Sequence, residues 1–113
     1  MRKFDYRAPR FAVNLPIRLI FDDVAQQGLC KEISSEGMRL EIGQPLQPQA
    51  SGTVCLKYLD FDLELPIRVA HAGPDFDGVR FIYESEDQRD EVNRLIARLF
   101  ASPHGTGPVL VRQ

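Results

Sequence analysis

Two groups of residues have the types and spacing to hold a charged ligand. One is a basic arm, Arg2-Lys3-Phe4-Asp5-Tyr6-Arg7-Ala8-Pro9-Arg10. The other is a polar hexapeptide, Glu32-Ile33-Ser34-Ser35-Glu36-Gly37, set between two strand-like runs. Arginine guanidinium groups grip phosphate oxygens two at a time and stack on planar bases. Tyr6 or Phe4 adds an aromatic face for stacking. In the hexapeptide, the Glu32 carboxylate can accept from the N–H groups of a guanine edge, and Ser34 adds a hydroxyl contact. A phosphorylated nucleotide uses both groups at once. Each group also has a plainer reading: a solvated charged terminus for the arm, and for the hexapeptide a β-turn in which Glu32 and Ser34 satisfy backbone groups.

Charge supports a small ligand. The 113-residue chain carries a net charge of −2, and its length allows one domain with a modest core. The arm holds Arg2, Lys3, Arg7 and Arg10 against Asp5, a local charge of +3, which leaves −5 for the rest. A basic arm on an acidic body points to a small anion or an acidic protein partner, and away from duplex nucleic acid. The same acidity argues against single-stranded nucleic acid. Cys30 and Cys55 sit in strand-like runs without CxxC or His-rich spacing, so they read as reduced thiols and not as metal ligands. His71 and His104 are the only histidines, and neither lies near a nucleophile in sequence; no enzyme activity and no cofactor are expected. No apolar segment follows the charged N-terminus, and the apolar runs are too short to cross a bilayer. The expectation is a cytoplasmic protein without membrane insertion.

The elements that must position these groups follow from periodicity. Val13, Leu15, Ile17, Leu19 and Phe21 recur at every second residue and predict a half-buried strand. Pro16 falls on the opposite parity and marks an edge or a bulge. Asp22-Asp23 reads as a turn. A second strand covers about residues 27–33, and the hexapeptide breaks it, with Gly37 expected to supply a positive φ. Met38, Leu40 and Ile42 give a third strand. Residues 43–52 read as a loop. Val54 to Tyr58 and Phe61 to Val69 form a hairpin turning near Asp60, Gly73-Pro74-Asp75 is another turn, and Val79, Phe81 and Tyr83 face inward from a last strand. Five or six antiparallel strands at this spacing make a small barrel or sandwich. The period then becomes helical. Ser85-Glu86-Asp87-Gln88 fits a capping box, and Val92, Leu95, Ile96, Leu99 and Phe100 form one apolar stripe. The division expected is an arm over 1–10, a barrel with its helix over 11–100, and a flexible Gly/Pro-rich tail over 101–113.

Taken in order, the arm before the first strand, the ExSxxG of Glu32, Ser34 and Gly37, the strand Gly78-Val79-Arg80-Phe81-Ile82 and the terminal amphipathic helix resemble the PilZ domain family of bacterial cyclic di-GMP receptors. The resemblance covers roughly residues 2–100. It implies a six-stranded antiparallel β-barrel with a C-terminal helix, and a cyclic di-GMP ligand held by Arg7, Arg10, Glu32, Ser34 and Gly37, with Tyr6 alongside. It also implies an effector role, in which the nucleotide orders the arm and an effector protein reads the change. The chain departs from the family in two places. In the family's RxxxR motif Arg10 takes the second place, but Tyr6 stands where the first arginine belongs, with Arg7 as the compensating cation. In [D/N]xSxxG, Glu32 replaces the shorter residue. These departures also fit a second reading, a domain of this family that binds no nucleotide and works as a protein–protein adaptor.

Overall fold

The computed structural model describes residues 8–101 and the backbone of 109–111. Among these residues, seven strands and one helix run in the order β1 (Arg10–Phe21), β2 (Val24–Ile33), β3 (Gly37–Ile42), β4 (Ser51–Tyr58), β5 (Phe61–Ala72), β6 (Asp77–Phe81), α1 (Glu86–Phe100) and β7 (Val109–Val111). All strand pairs are antiparallel, and the sheet runs β2-β3-β6-β5-β4-β1 before β2 pairs with β1 and closes it. The result is the expected six-stranded barrel with a C-terminal helix. No helix among the described residues is long and apolar enough to cross a membrane.

Alternation builds the core. Leu15, Ile17 and Leu19 point inward from β1, as do Leu63, Leu65, Ile67 and Val69 from β5. Each buried side chain of this size contributes roughly 1.5–3 kcal/mol through apolar burial. Val92, Leu95, Ile96 and Leu99 bring the helix into the same core. Phe100, expected on that stripe, is instead 60 % exposed, with its ring 5.5 Å from Phe11. Ser85 caps α1 by accepting from the Gln88 N–H at 3.3 Å. The reciprocal bond overshoots by one residue, since Gln88 Oε1 accepts from the N–H of Glu84 and not of Ser85.

Three strands carry register shifts that periodicity does not reveal. On β1, two residues (Val13 and Asn14) stand opposite the single Lys31 of β2. On β2, Lys31 is the extra residue against β3, between the Cys30–Leu40 and Glu32–Arg39 pairs. On β5, Ala70 is the extra residue against β6. The first shift, between Ala12 and Leu15, lies just before Pro16, which itself stays in register opposite Leu29. Lys31 Nζ donates to Asn14 Oδ1 at 3.0 Å, tying the two irregular stretches together.

The tail departs from a uniformly flexible segment. Val109, Leu110 and Val111 pair with Ala12, Phe11 and Arg10. Composition hid this strand: three apolar residues behind a Gly/Pro-rich run carry too little pattern to register. The edge they use is available because β4 pairs with β1 only at Arg18–Ile20.

Leu59 sits at the β4–β5 turn with φ 55° and is 70 % exposed. A left-handed backbone is costly for leucine, and this side chain gains little packing in return. Leu59→Gly is expected to raise unfolding stability by about 0.5–1 kcal/mol, read as a higher urea midpoint at unchanged m.

Candidate ligand recess

The bulges decide which way Glu32 faces. Strict alternation from Cys30, which is fully buried, would send Glu32 inward and Ile33 outward. The extra residue at Lys31 inverts the phase. Ile33 enters the core at 1 % exposure, and Glu32 turns to the outer face beside its cross-strand partner Arg39. Arg39 Nη1 donates to Glu32 Oε2 at 2.9 Å, while Arg10 Nη1 stands 3.4 Å from Oε1. The carboxylate is nearly buried, with 11 % of its side chain exposed against 34 % for Arg10 and 43 % for Arg39. A buried lone carboxylate would be expensive, and two guanidinium groups compensate it. Glu32 Oε1 and Arg10 Nε nevertheless have no hydrogen-bond partner among the described residues.

Ser34 and Gly37 build the corner next to it. Ser34 Oγ accepts from the backbone N–H of Glu36 at 3.0 Å and of Gly37 at 3.3 Å. The Ser34 N–H donates to the Gly37 carbonyl at 2.9 Å, and the Phe81 N–H donates to the Glu36 carbonyl at 2.9 Å. Tyr83 Oη donates to the Ser35 carbonyl. Ser34 therefore plays the turn role while retaining a hydroxyl hydrogen that can be donated elsewhere. Gly37 is a correction. It does not adopt a positive φ; a Cβ there would lie 2.1 Å from the Val79 carbonyl oxygen. The residue is glycine because the backbone of β6 leaves no room for a side chain.

Arg10, Glu32, Ser34 and Gly37 line one recess of about 190 Å³ on the outer face of the barrel, together with Arg39, Phe76, Gly78 and Arg80. Its charged lining is three arginines (Arg10, Arg39 and Arg80) and two glutamates (Glu32 and Glu36). Gly37 pairs with Arg80 and Gly78 with Arg39, so glycines make a low floor between arginines. Phe76 supports Arg39 from behind, with the guanidinium 4.8 Å from the ring centroid, and is stacked on His71 at 4.6 Å. Tyr6 and Arg7 lie outside the described residues. Arg39 and Arg80 were missed in the sequence. Their signal was outward parity in β3 and β6, but only the β3–β6 pairing brings them to Glu32. No group of His, Cys, Asp or Glu among the described residues could hold a metal ion.

Comparison with known proteins follows this geometry. The PilZ domain family model matches residues 5–98. The fold is similar to the PilZ domain of CeSA from a cellulose-synthesizing bacterium, at 19 % identity and a TM-score of 0.70 over 80 % of this chain and 97 % of that one. It is similar to the Bacillus subtilis inhibitor of motility MotI/DgrA, at 15 % identity and 0.67, covering 90 % of this chain and 54 % of that one. It is also similar to a tetrameric PilZ-domain protein of Xanthomonas campestris, at 25 % identity and 0.52, covering 72 % and 51 %. No curated protein matches the chain in sequence.

Two outcomes are expected from this local chemistry. Ser34→Ala leaves two N–H groups without their acceptor and should cost about 1–2 kcal/mol of stability, seen as a lower Tm whatever its effect on a ligand. Burial pushes the Cys30 thiol up from 9.0 to about 12, and burial likewise pushes the Tyr83 hydroxyl up from 10.0 to about 12. Both groups stabilise the fold in their protonated forms. That stability is fully present below about pH 9 and is lost as pH rises toward 12. Urea melts from pH 8 to 11 should show the decline, and Cys30 should resist thiol reagents at pH 8 until the protein unfolds.

Proposed function

The chain belongs to the PilZ domain family, and on that premise we propose that it is a cytoplasmic receptor for cyclic di-GMP that signals by protein contact. The observation that supports this reading is a pair of buried atoms in an arginine-lined recess that have no hydrogen-bond partner among the described residues, the acceptor Glu32 Oε1 and the donor Arg10 Nε. Guanine offers complementary groups: N–H donors on its Watson–Crick edge for the carboxylate, and acceptors on its Hoogsteen edge for a guanidinium. Arg10, with Arg7 on the arm, takes phosphate oxygens or stacks on the base. Tyr6 adds an aromatic face. The free Ser34 hydroxyl hydrogen meets an acceptor on the ligand. Binding orders the arm across the recess, and an effector protein reads the altered surface. The role is binding, with no chemical step, metal or cofactor.

A second reading is favoured by one feature of the same site. Glu32 already accepts from Arg39 and is paired with Arg10, so two guanidinium groups compensate the carboxylate without a ligand. In that reading the recess is a structural ion-pair cluster, and the domain is an adaptor that binds protein alone.

Isothermal titration calorimetry with cyclic di-GMP, with GTP as control, separates the two. The receptor reading expects low-micromolar or tighter binding, on the order of −8 kcal/mol, for the dinucleotide only. Arg10→Ala should abolish it. Gly78→Val should also abolish it while leaving the fold intact, because a Cβ at Gly78 meets nothing closer than 3.6 Å yet the side chain fills the floor of the recess. No heat from wild-type protein at high nucleotide concentration overturns the receptor and leaves the adaptor.

A further inference from the structure

The inward parity of β6 carries an acid. Asp77 shares it with Val79 and Phe81, and pairs with the core residue Leu40. Asp77 is only 4 % exposed, and its Oδ1 is buried without a hydrogen-bond partner among the described residues. A carboxylate left unpaired at such a position is costly, and a cation beside it offsets the cost. No ion pair among the described residues supplies one to Asp77.

Asp77 lines a pocket of about 300 Å³ between the end of β3 and the turn that joins β5 to β6. Glu41 and Asp75, both exposed, line it too, and no lysine, arginine or histidine does. Pro45, Pro74 and Phe76 give it apolar walls. Phe76 is the one residue it shares with the arginine-lined recess, so two sites of opposite charge stand side by side.

We propose that this acidic pocket receives an arginine side chain of a partner protein. Charge selects a cation, and geometry selects its kind. No group of acids among the described residues could hold a metal ion, which needs its ligands gathered on one point. A lysine ammonium is likewise a compact point charge. A guanidinium spreads five N–H donors over a planar fork, is weakly hydrated, and serves acceptors that do not converge. The apolar stem of an arginine suits the proline and phenylalanine walls. The assignment of this arginine to the effector protein rests on the reading proposed above; the pocket's demand for a cation does not.

The test titrates the isotope-labelled full chain, free of nucleotide, with a blocked glycine-arginine-glycine peptide and follows the backbone amides by NMR. Those of Gly43, Gly73, Asp75 and Asp77 should shift saturably at millimolar peptide. A citrulline peptide, close in shape but uncharged, should leave them in place, and a lysine peptide should bind more weakly. Asp77→Asn should abolish the shifts without lowering Tm. Glu41→Gln and Asp75→Asn should each weaken binding by about two- to fivefold. Absent shifts in the wild-type protein overturn the proposal. So do an equal response to citrulline, equal affinity for lysine, or saturation by calcium chloride at a lower concentration than the peptide. Wild-type peptide affinity in Asp77→Asn also overturns it, and a lowered Tm alongside would mark the carboxylate as structural. The peptide titration contains no nucleotide and the calorimetry contains no peptide, so the failure of either reading is seen separately from that of the other.

Discussion

The recess depends on two backbones in contact. β3 lies so close to β6 at Gly37 that any side chain would meet the Val79 carbonyl. This approach lets the Phe81 N–H reach the Glu36 carbonyl and Tyr83 reach the Ser35 carbonyl. Those bonds fix the path of residues 34–37, and the path turns Ser34 Oγ onto its own two amides. A corner tied at so many points has few conformations to lose when a ligand arrives, and that lowers the entropic cost of binding.

Electrostatics at Glu32 works against easy binding as well as for it. The glutamate is held outward by a bulge and nearly buried by its neighbours, so two arginines compensate its charge. A ligand that takes Arg10 must replace what Glu32 loses. Net affinity is then the difference between the new contacts and the internal pair they disturb, a balance in which buried charges often come close to break-even. Glu32, standing where the family has aspartate or asparagine, meets Arg39 at 2.9 Å and Arg10 at 3.4 Å from the β2 backbone.

Much of the fold was legible because its physics is local. Alternation located the inward residues of β1, β3 and β5, and the serine cap located α1. The corner and Arg10 were also legible, since composition singled out Glu32, Ser34, Gly37 and Arg10, and these four line one recess. What escaped was set by non-local geometry. A bulge is one extra residue with no compositional mark, so the inversion that turns Glu32 outward at Lys31 could not be read. Arg39 and Arg80 are ordinary outward arginines until β3 and β6 are known to be neighbours. Gly37 was expected at a turn for its φ, and is required by a strand 42 residues later in the chain, at Val79. Phe100 kept helical spacing but sits at the end of the helix, where the stripe runs out onto Phe11.

The bond from Tyr83 to Ser35 joins residues 48 positions apart, and this has a consequence for how the protein is made. A chain leaving the ribosome can form the β1–β2 and β2–β3 hairpins early, since their contacts are close in sequence and cheap to close. At that stage Glu32 and Arg10 are already neighbours, but nothing yet holds the corner. Its shape waits until β6 and the residues after it have emerged and folded back across β3. The recess itself is thus a late product of synthesis. Truncated or stalled chains would display the motif residues without the pocket, and would be silent to any ligand the finished domain can read.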